Sequence, residues 1–434
     1  MNRKPELLSP AGSLEKMRIA FDFGADAVYA GQPRYSLRAR NNDFGEEEIH
    51  TAIQTAHERK KKFFLALNLY AHNAKLKTFE RDIAPLLDAG PDALIMADPG
   101  LIQLVREKWP SLPVHLSVQA NTVNYRAVNF WKSAGVSRVI LSRELSLDEI
   151  KEIRDNCPEM EIEVFVHGAL CIAYSGRCLL SGYFNHRDAN QGVCTNACRW
   201  EYKVRPAQEN FAGDFELRHG EADGAFLLED TSRPGQLNPM FEDEHGTYIM
   251  NSKDLRAVEQ VRKLVEIGVD SLKIEGRTKS PYYVARTAQV YRQAIDDAAA
   301  GRQFDPGLMT ALDQLANRGY TPGFFERKPA EDLQNYEVGV STFHNSRYVG
   351  DIVEYNSSSH RARVVVKNRF EPGDRIEILH PGGNRIVIIS EIRSVEGAPL
   401  EEAPGSGWIV DIPCDFDATG AMITALDRVN GNVI

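Results

Sequence analysis

The sequence predicts an α/β fold: a TIM-like (β/α)8 barrel with an insertion, followed by a small C-terminal antiparallel β-barrel. Three observations predict it. A glycine–turn–apolar-run module recurs between residues 24 and 276, a polar segment at 199–246 interrupts it, and β periodicity takes over from about residue 335.

The module is plain in Gly24-Ala-Asp-Ala-Val-Tyr-Ala-Gly31, Gly90-Pro-Asp-Ala-Leu-Ile-Met-Ala-Asp98, Gly135-Val-Ser-Arg-Val-Ile-Leu-Ser-Arg143 and Gly268-Val-Asp-Ser-Leu-Lys-Ile-Glu-Gly276. A glycine suits the residue after a helix, where the backbone commonly turns left-handed. The near-continuous apolar run suits a parallel strand buried on both faces. Strands are expected at 6–11, 26–31, 62–69, 93–97, 114–119, 138–142, 161–167 and 271–275, with helices at 13–23, 46–60, 76–89, 100–108, 124–134, 146–156 and 281–300. Eight alternating units fit a closed barrel. A further candidate strand at 247–251 leaves the closure ambiguous. An open doubly wound sheet is the structural alternative, but no glycine-rich dinucleotide fingerprint supports it.

The barrel domain is expected to span 1–330, with a cysteine segment at 168–200 and a polar, hairpin-bearing insertion at 199–246. Segments 361–370, 374–379 and 384–389 read as strands separated by Pro-Gly, Pro-Gly-Gly and Gly-Ser-Gly turns, so residues 335–434 are assigned to the small β-barrel.

Of 434 residues, 43% are hydrophobic and 26% charged, which describes a folded domain rather than a disordered chain. The opening MNRKPELLSPAG has no apolar core of a secretory signal, and no run reaches the roughly 20 apolar residues of a membrane span. A cytoplasmic location without membrane association is therefore expected. The formal charge of −10 disfavours non-specific nucleic-acid binding, so an RNA substrate would need a local basic patch.

Four of the six cysteines cluster as Cys171-x6-Cys178-x15-Cys194-x3-Cys198, directly after the apolar strand Ile162-Glu-Val-Phe-Val-His-Gly168. In a reducing compartment they read as metal ligands, not disulfides. In a βα barrel the segment after a strand lies at the carboxyl face, where active sites form. Four thiolates satisfy either a structural zinc or an iron–sulfur cluster, and the spacing alone does not separate the two. Cys157 and Cys414 stand apart and are read as ordinary buried cysteines.

The run Glu163-Val-Phe-Val-His-Gly-Ala-Leu-Cys-Ile-Ala-Tyr-Ser-Gly-Arg-Cys-Leu-Leu-Ser181 resembles the signature of the collagenase-like peptidase family U-32. Glu6-Leu-Leu-Ser-Pro-Ala-Gly12, Asp26-Ala-Val-Tyr-Ala-Gly31 and Ser271-Leu-Lys-Ile-Glu-Gly-Arg277 match as well. The family's two domains cover essentially the whole chain. Asn190–Tyr202 and Phe241–Leu255 further resemble a branch of that family concerned with tRNA hydroxylation. The resemblance implies a 4Fe–4S cluster on Cys171, Cys178, Cys194 and Cys198. It also implies oxygen-independent conversion of the tRNA wobble uridine to 5-hydroxyuridine, with prephenate required. It favours iron–sulfur over structural zinc.

Other candidates follow from position. Strand ends offer Ser9, Asn68, Asp98, Gln119, Arg143 and His167 toward the carboxyl face, to contact substrate or to cap the following helix. Arg177, between two ligands, could bind a carboxylate of a prephenate-like dicarboxylate or offset the cluster's charge. Lys273, Glu275 and Arg277 end the last barrel strand, as catalytic groups or as a structural network. Arg38 and Arg40 lie in a loop after the second strand and could meet an anion. Arg361, Arg363, Lys367 and Arg369 alternate with apolar residues, as an RNA-backbone contact or a solvated strand face.

Three functions compete at this stage: a tRNA uridine hydroxylase, a peptidase, and a non-catalytic iron–sulfur protein serving an electron-transfer or accessory partner. No H-E-x-x-H or G-x-S-x-G motif supports the peptidase.

Overall fold

The computed structural model describes residues 3–37, 44–171, positions 174, 175, 177, 178 and 194, the insertion strands named below, and residues 252–326 and 346–426.

Eight parallel strands close into a barrel: β1 (Glu6–Pro10), β2 (Ala27–Gly31), β3 (Lys62–Leu67), β4 (Ala93–Met96), β5 (Val114–Leu116), β6 (Arg138–Ile140), β7 (Glu161–Ala169) and β14 (Ser271–Ile274). Closure is made by β14, which pairs with β1 on one side and β7 on the other. Six helices lie between successive strands: α1 (Leu14–Asp22), α2 (Glu46–Glu58), α3 (Asn73–Asp88), α4 (Pro99–Lys108), α5 (Tyr125–Ser133) and α6 (Leu147–Asn156). Two more flank β14: α7 (Val261–Ile267), which the sequence reading passed over, and α8 (Pro281–Ala299). Every strand expected from sequence is present within a few residues of its assigned range.

The glycines of the repeated module do what their spacing implies. Gly24, Gly90, Gly135 and Gly268 all have positive φ, between 77° and 104°, where a side chain would strain the backbone.

Between β7 and β14 the chain departs from the repeat. The insertion forms short antiparallel pairs: β8 (Ala207–Glu209) with β9 (Phe215–Leu217), and β10 (Phe226–Glu229) with β11 (Leu237–Asp243), which also pairs with β12 (Gly246–Tyr248). The strand that returns to the barrel is β13 (Asp254–Arg256), a few residues later than the candidate at 247–251. It runs antiparallel to the end of β7 and carries β15 (Tyr320–Thr321) on its other edge. The barrel is thus closed, with an appended antiparallel flap beside β7.

After α9 (Gly307–Asp313) comes the second domain. Its strands are β16 (Ser346–Asn356), β17 (Arg361–Val366), β18 (Arg375–Leu379), β19 (Arg385–Ile388), β20 (Ile392–Ser394), β21 (Pro399–Leu400), β22 (Ile409–Pro413) and β23 (Met422–Leu426). They form one antiparallel sheet in the order β19-β18-β23-β16-β17-β22-β20-β21, curled around a core that includes Val349, Val364, Ile376, Ile412 and Ile423. The small antiparallel β-barrel expected from sequence is present as a half-barrel: among the described residues the two edge strands do not pair with each other.

The half-barrel docks on α8. Glu377 receives both terminal nitrogens of Arg286, one at 3.0 Å, with both side chains buried. Tyr282 and Tyr348 stack at 5.6 Å and 8°. Leu379 and Met422 join the barrel's hydrophobic core.

Candidate active site at the barrel mouth

Strand register decides which charges enter the barrel. Lys273 pairs with Leu8 on β1 and Phe165 on β7, and shares their inward face. Glu163, two residues before Phe165, faces the same way and accepts from Lys273 Nζ at 2.8 Å and Arg138 Nη1 at 3.0 Å. Arg138 also reaches Glu6 at 2.6 Å, and Glu6 meets Lys62 at 3.0 Å. Burial alone would lower the Arg138 pKa, but Glu163 and Glu6 hold it raised. Burial likewise lowers the Lys273 pKa, with Glu163 opposing. His115, on the same inner wall, is pushed well below its ordinary value by burial and then by Arg138 and Lys273.

The expectation for Lys273 needs correcting. It lies 2% exposed inside the barrel, engaged by Glu163 and over the Tyr29 ring at 4.4 Å, not at the rim. Arg138 and Glu163, which anchor this network, were missed. The legible signal was a carboxylate in the middle of the apolar strand Ile162–Val166.

His167 is also not at the open mouth. The β7–β14 register slips by one residue, from Phe165 opposite Lys273 to His167 opposite Ile274. That slip turns His167 outward, under α8 and β15, where its ring packs against Tyr283, Tyr291 and Tyr320 at 5.5–5.7 Å. Burial, then the cations of Lys279 and Arg256, push its pKa down to about 3. The Tyr291 hydroxyl donates to Val166 O at 2.7 Å, so its oxygen accepts at 3.3 Å from a neutral Nδ1–H of His167.

Glu275 and Arg277 are buried as well. Arg277 Nη2 donates to Leu37 O, just before Arg38 and Arg40 in sequence. Both of those arginines lie outside the described residues. Glycines make room for this contact: a Cβ at Gly31 would lie 2.2 Å from Arg277 Nη1, and one at Gly12 would lie 2.1 Å from Arg277 O. Ser9 is fully buried on the face of β1 registered with Val28, away from the interior. Asp98 caps α4 by accepting from Leu101 N at 3.0 Å, and also accepts from Ala71 N at 3.0 Å.

What remains at the carboxyl rim is an arc of polar and aromatic groups. Asn68 Oδ1 accepts from Leu37 N at 3.1 Å and its Nδ2 donates to Ser117 Oγ at 3.3 Å. Tyr70, which the sequence reading did not single out, donates to Gln119 O at 2.8 Å. Arg143 lays its guanidinium over Phe165 at 3.9 Å and points Nη1 toward Ala169 O, two residues before Cys171. Arg177 is exposed and lies near enough to Tyr70 to act on its hydroxyl. No described carboxylate pairs with Arg143 or Arg177, so two guanidiniums are available to an anion.

Cys171 leaves the end of β7 exposed at this rim; Cys178 is half-buried and Cys194 exposed, and none of the three is disulfide-bonded. Cys198 lies outside the described residues. Among the described residues no three cysteine, histidine or carboxylate side chains are gathered as a metal site, and Arg177 is adjacent in sequence to Cys178. Cys157 and Cys414 are buried, and burial raises both thiol pKa values.

The proposed cationic strip of the second domain is not a set of unpaired charges. Arg361 pairs with Glu391, Arg363 with Asp411 and Glu354, Lys367 with Asp351, and Arg369 with Glu371 and Glu402. Nor is β17 an edge, since β16 and β22 flank it. The alternation was read correctly, but carboxylates on neighbouring strands and turns neutralise its polar face.

Comparison with known proteins agrees with this architecture. The model of peptidase family U32 matches residues 12–335, and that of the peptidase family U32 C-terminal domain matches 344–424. The chain is 55% identical to tRNA hydroxylation protein P of Escherichia coli, over 95% of this chain and 94% of that protein. It is 53% identical to the protein of the same name from Haemophilus influenzae, over 97% and 96% of the two chains. A protein named collagenase from Porphyromonas gingivalis is 29% identical over 91% and 92%. Both domains, the motifs that join them and these relatives place the chain in peptidase family U32.

Proposed function

We propose that this protein is a tRNA-modifying enzyme that hydroxylates the wobble uridine to 5-hydroxyuridine without molecular oxygen, using a 4Fe–4S cluster and a prephenate-like dicarboxylate. The observation that carries the reading is near-complete alignment, at 53–55% identity, with two proteins named for tRNA hydroxylation. The rim chemistry supports it. Cys171, Cys178, Cys194 and Cys198 would hold the cluster, whose chemistry is one-electron transfer. Arg143 and Arg177 present planar cationic forks suited to carboxylate or phosphate oxygens. The Glu163–Lys273–Arg138 network fills the barrel beneath, so substrate is confined to the rim. Reducing conditions for the thiolates imply the cytoplasm.

Anaerobically purified protein should be brown, with thiolate-to-iron absorption and iron rather than zinc on metal analysis. A strain lacking the protein should lose 5-hydroxyuridine and its derivatives from tRNA, and Cys194→Ala should fail to restore them. Normal modification by a cluster-free variant would refute the redox role. Modification by purified protein, tRNA and prephenate alone separates an enzyme from an accessory factor. Cleavage of unstructured collagen by the same preparation would instead favour a peptidase.

A further inference from the structure

We propose that the protein forms a symmetric dimer by pairing β19 with the β19 strand of a second copy, an association independent of the tRNA reading above. Among the described residues the half-barrel sheet ends in two unpaired edge strands, and the two differ. β21 is two residues long and carries Pro399, which has no N–H to offer a further strand. β19 has no such guard. It carries Ile386, Val387 and Ile388 in succession, with Ile386 54% and Ile388 70% exposed. An unguarded edge of β-branched residues is a template for another strand.

The backbone shows what this edge offers. Ile389 N donates to Asp374 O at 3.0 Å, so in the antiparallel β18–β19 ladder positions 385, 387 and 389 turn toward β18. Ile386 and Ile388 therefore direct their N–H and C=O groups away from β18, and no other described group bonds them. A further strand satisfies such a row in both donors and acceptors.

The strand is its own complement. A two-fold axis beside Val387 sets Ile386 opposite the partner's Ile388, and Ile388 opposite the partner's Ile386, each pair exchanging two backbone hydrogen bonds. The four exposed isoleucines then meet on one face. On the other face the two Val387 side chains meet. Val387 packs against the half-barrel core, so the cores of the two copies become continuous. The one charge on the strand, Arg385, is already engaged by Asp415 at 3.4 Å and lies over Phe416 at 4.0 Å. The axis places the two Arg385 residues about 14 Å apart along the strands, beyond the roughly 8 Å screening length of physiological salt. A charged partner segment would find only this occupied arginine to pair with, whereas a second copy brings matching apolar side chains and no opposed like charges.

A contact between two short strands is smaller than the roughly 1,200 Å² of a standard interface, so the dimer is concentration-dependent. Sedimentation equilibrium of the full-length, anaerobically prepared protein should show the mass rising from one chain toward two between about 1 and 200 μM. Hydrogen exchange at the Ile386 and Ile388 amides should slow over the same range. Ile386→Lys combined with Ile388→Lys sets lysine against lysine across the axis and should stay monomeric at every concentration. Ile386→Glu combined with Ile388→Glu should do the same. An equal mixture of these two variants should dimerise again, because lysine then faces glutamate. Mixing also controls for folding, since a misfolded variant cannot regain a partner. Wild type that stays monomeric throughout overturns the proposal: fast amide exchange would mean a solvated edge, and slow exchange at every concentration a cover from elsewhere in the same chain. A lysine variant that dimerises like wild type overturns it by placing the interface elsewhere. A mixture that stays monomeric overturns the pairing of positions 386 and 388.

Discussion

Acidification from pH 7 to pH 5 should cost this protein stability that a His167→Asn variant does not lose. His167 is held neutral by burial among Tyr283, Tyr291 and Tyr320, with Lys279 and Arg256 adding positive potential, and its folded pKa is about 3 against an ordinary 6.5. Between those two values the unfolded chain binds a proton that the folded chain does not. The contribution is therefore full above the ordinary value and is lost as pH falls toward the folded one. Taking 1.36 kcal/mol per pKa unit, the proton taken up by the unfolded chain costs about 2 kcal/mol at pH 5. Asparagine at 167 keeps an amide N–H for the Tyr291 oxygen and removes the titration. Urea denaturation of both proteins at the two pH values measures the difference, in which the carboxylates and His115, common to both, cancel. Equal pH dependence in wild type and variant would refute the buried placement and return His167 to the solvent-exposed rim.

Further outcomes follow from the same geometry. Glu163→Gln leaves Lys273 and Arg138 buried with their shared carboxylate gone, and should cost about 3–5 kcal/mol in thermal or denaturant unfolding. A loss below about 1 kcal/mol would mean that water reaches the network. Gly31→Ala places a Cβ against Arg277 and Ser36 and should cost about 1–3 kcal/mol, lowering the unfolding midpoint. An unchanged midpoint would show that Arg277 is not pinned there. Arg363→Ala should leave the salt dependence of tRNA binding unchanged, because Asp411 and Glu354 already occupy that guanidinium. A fall in the salt slope of about 1 would restore it as a phosphate contact.

The local elements were legible because their causes are local. Glycines at helix ends, buried apolar runs and a two-residue period in 361–366 each act over a few residues, and strands, helices and the two-part division followed from them. The cysteine cluster was legible as chemistry for the same reason: four thiols close in sequence imply a shared task. Tyr70 carried no such mark, because its hydrogen bond to Gln119 O joins positions 49 residues apart.

What a single stretch of chain cannot encode is its neighbour. Lys273 and His167 both looked like rim residues from strand position alone. Pairing with β7 sent one into the barrel beside Glu163, and a one-residue slip in that same pairing turned the other out beneath α8. Arg361, Arg363, Lys367 and Arg369 read as a cationic strip until the antiparallel partners brought carboxylates alongside. Sequence by itself determined which segments become strands and helices and which residues can do chemistry. Tertiary structure decided which way those residues face and what they touch, because register and long-range charge pairing exist only once distant strands meet.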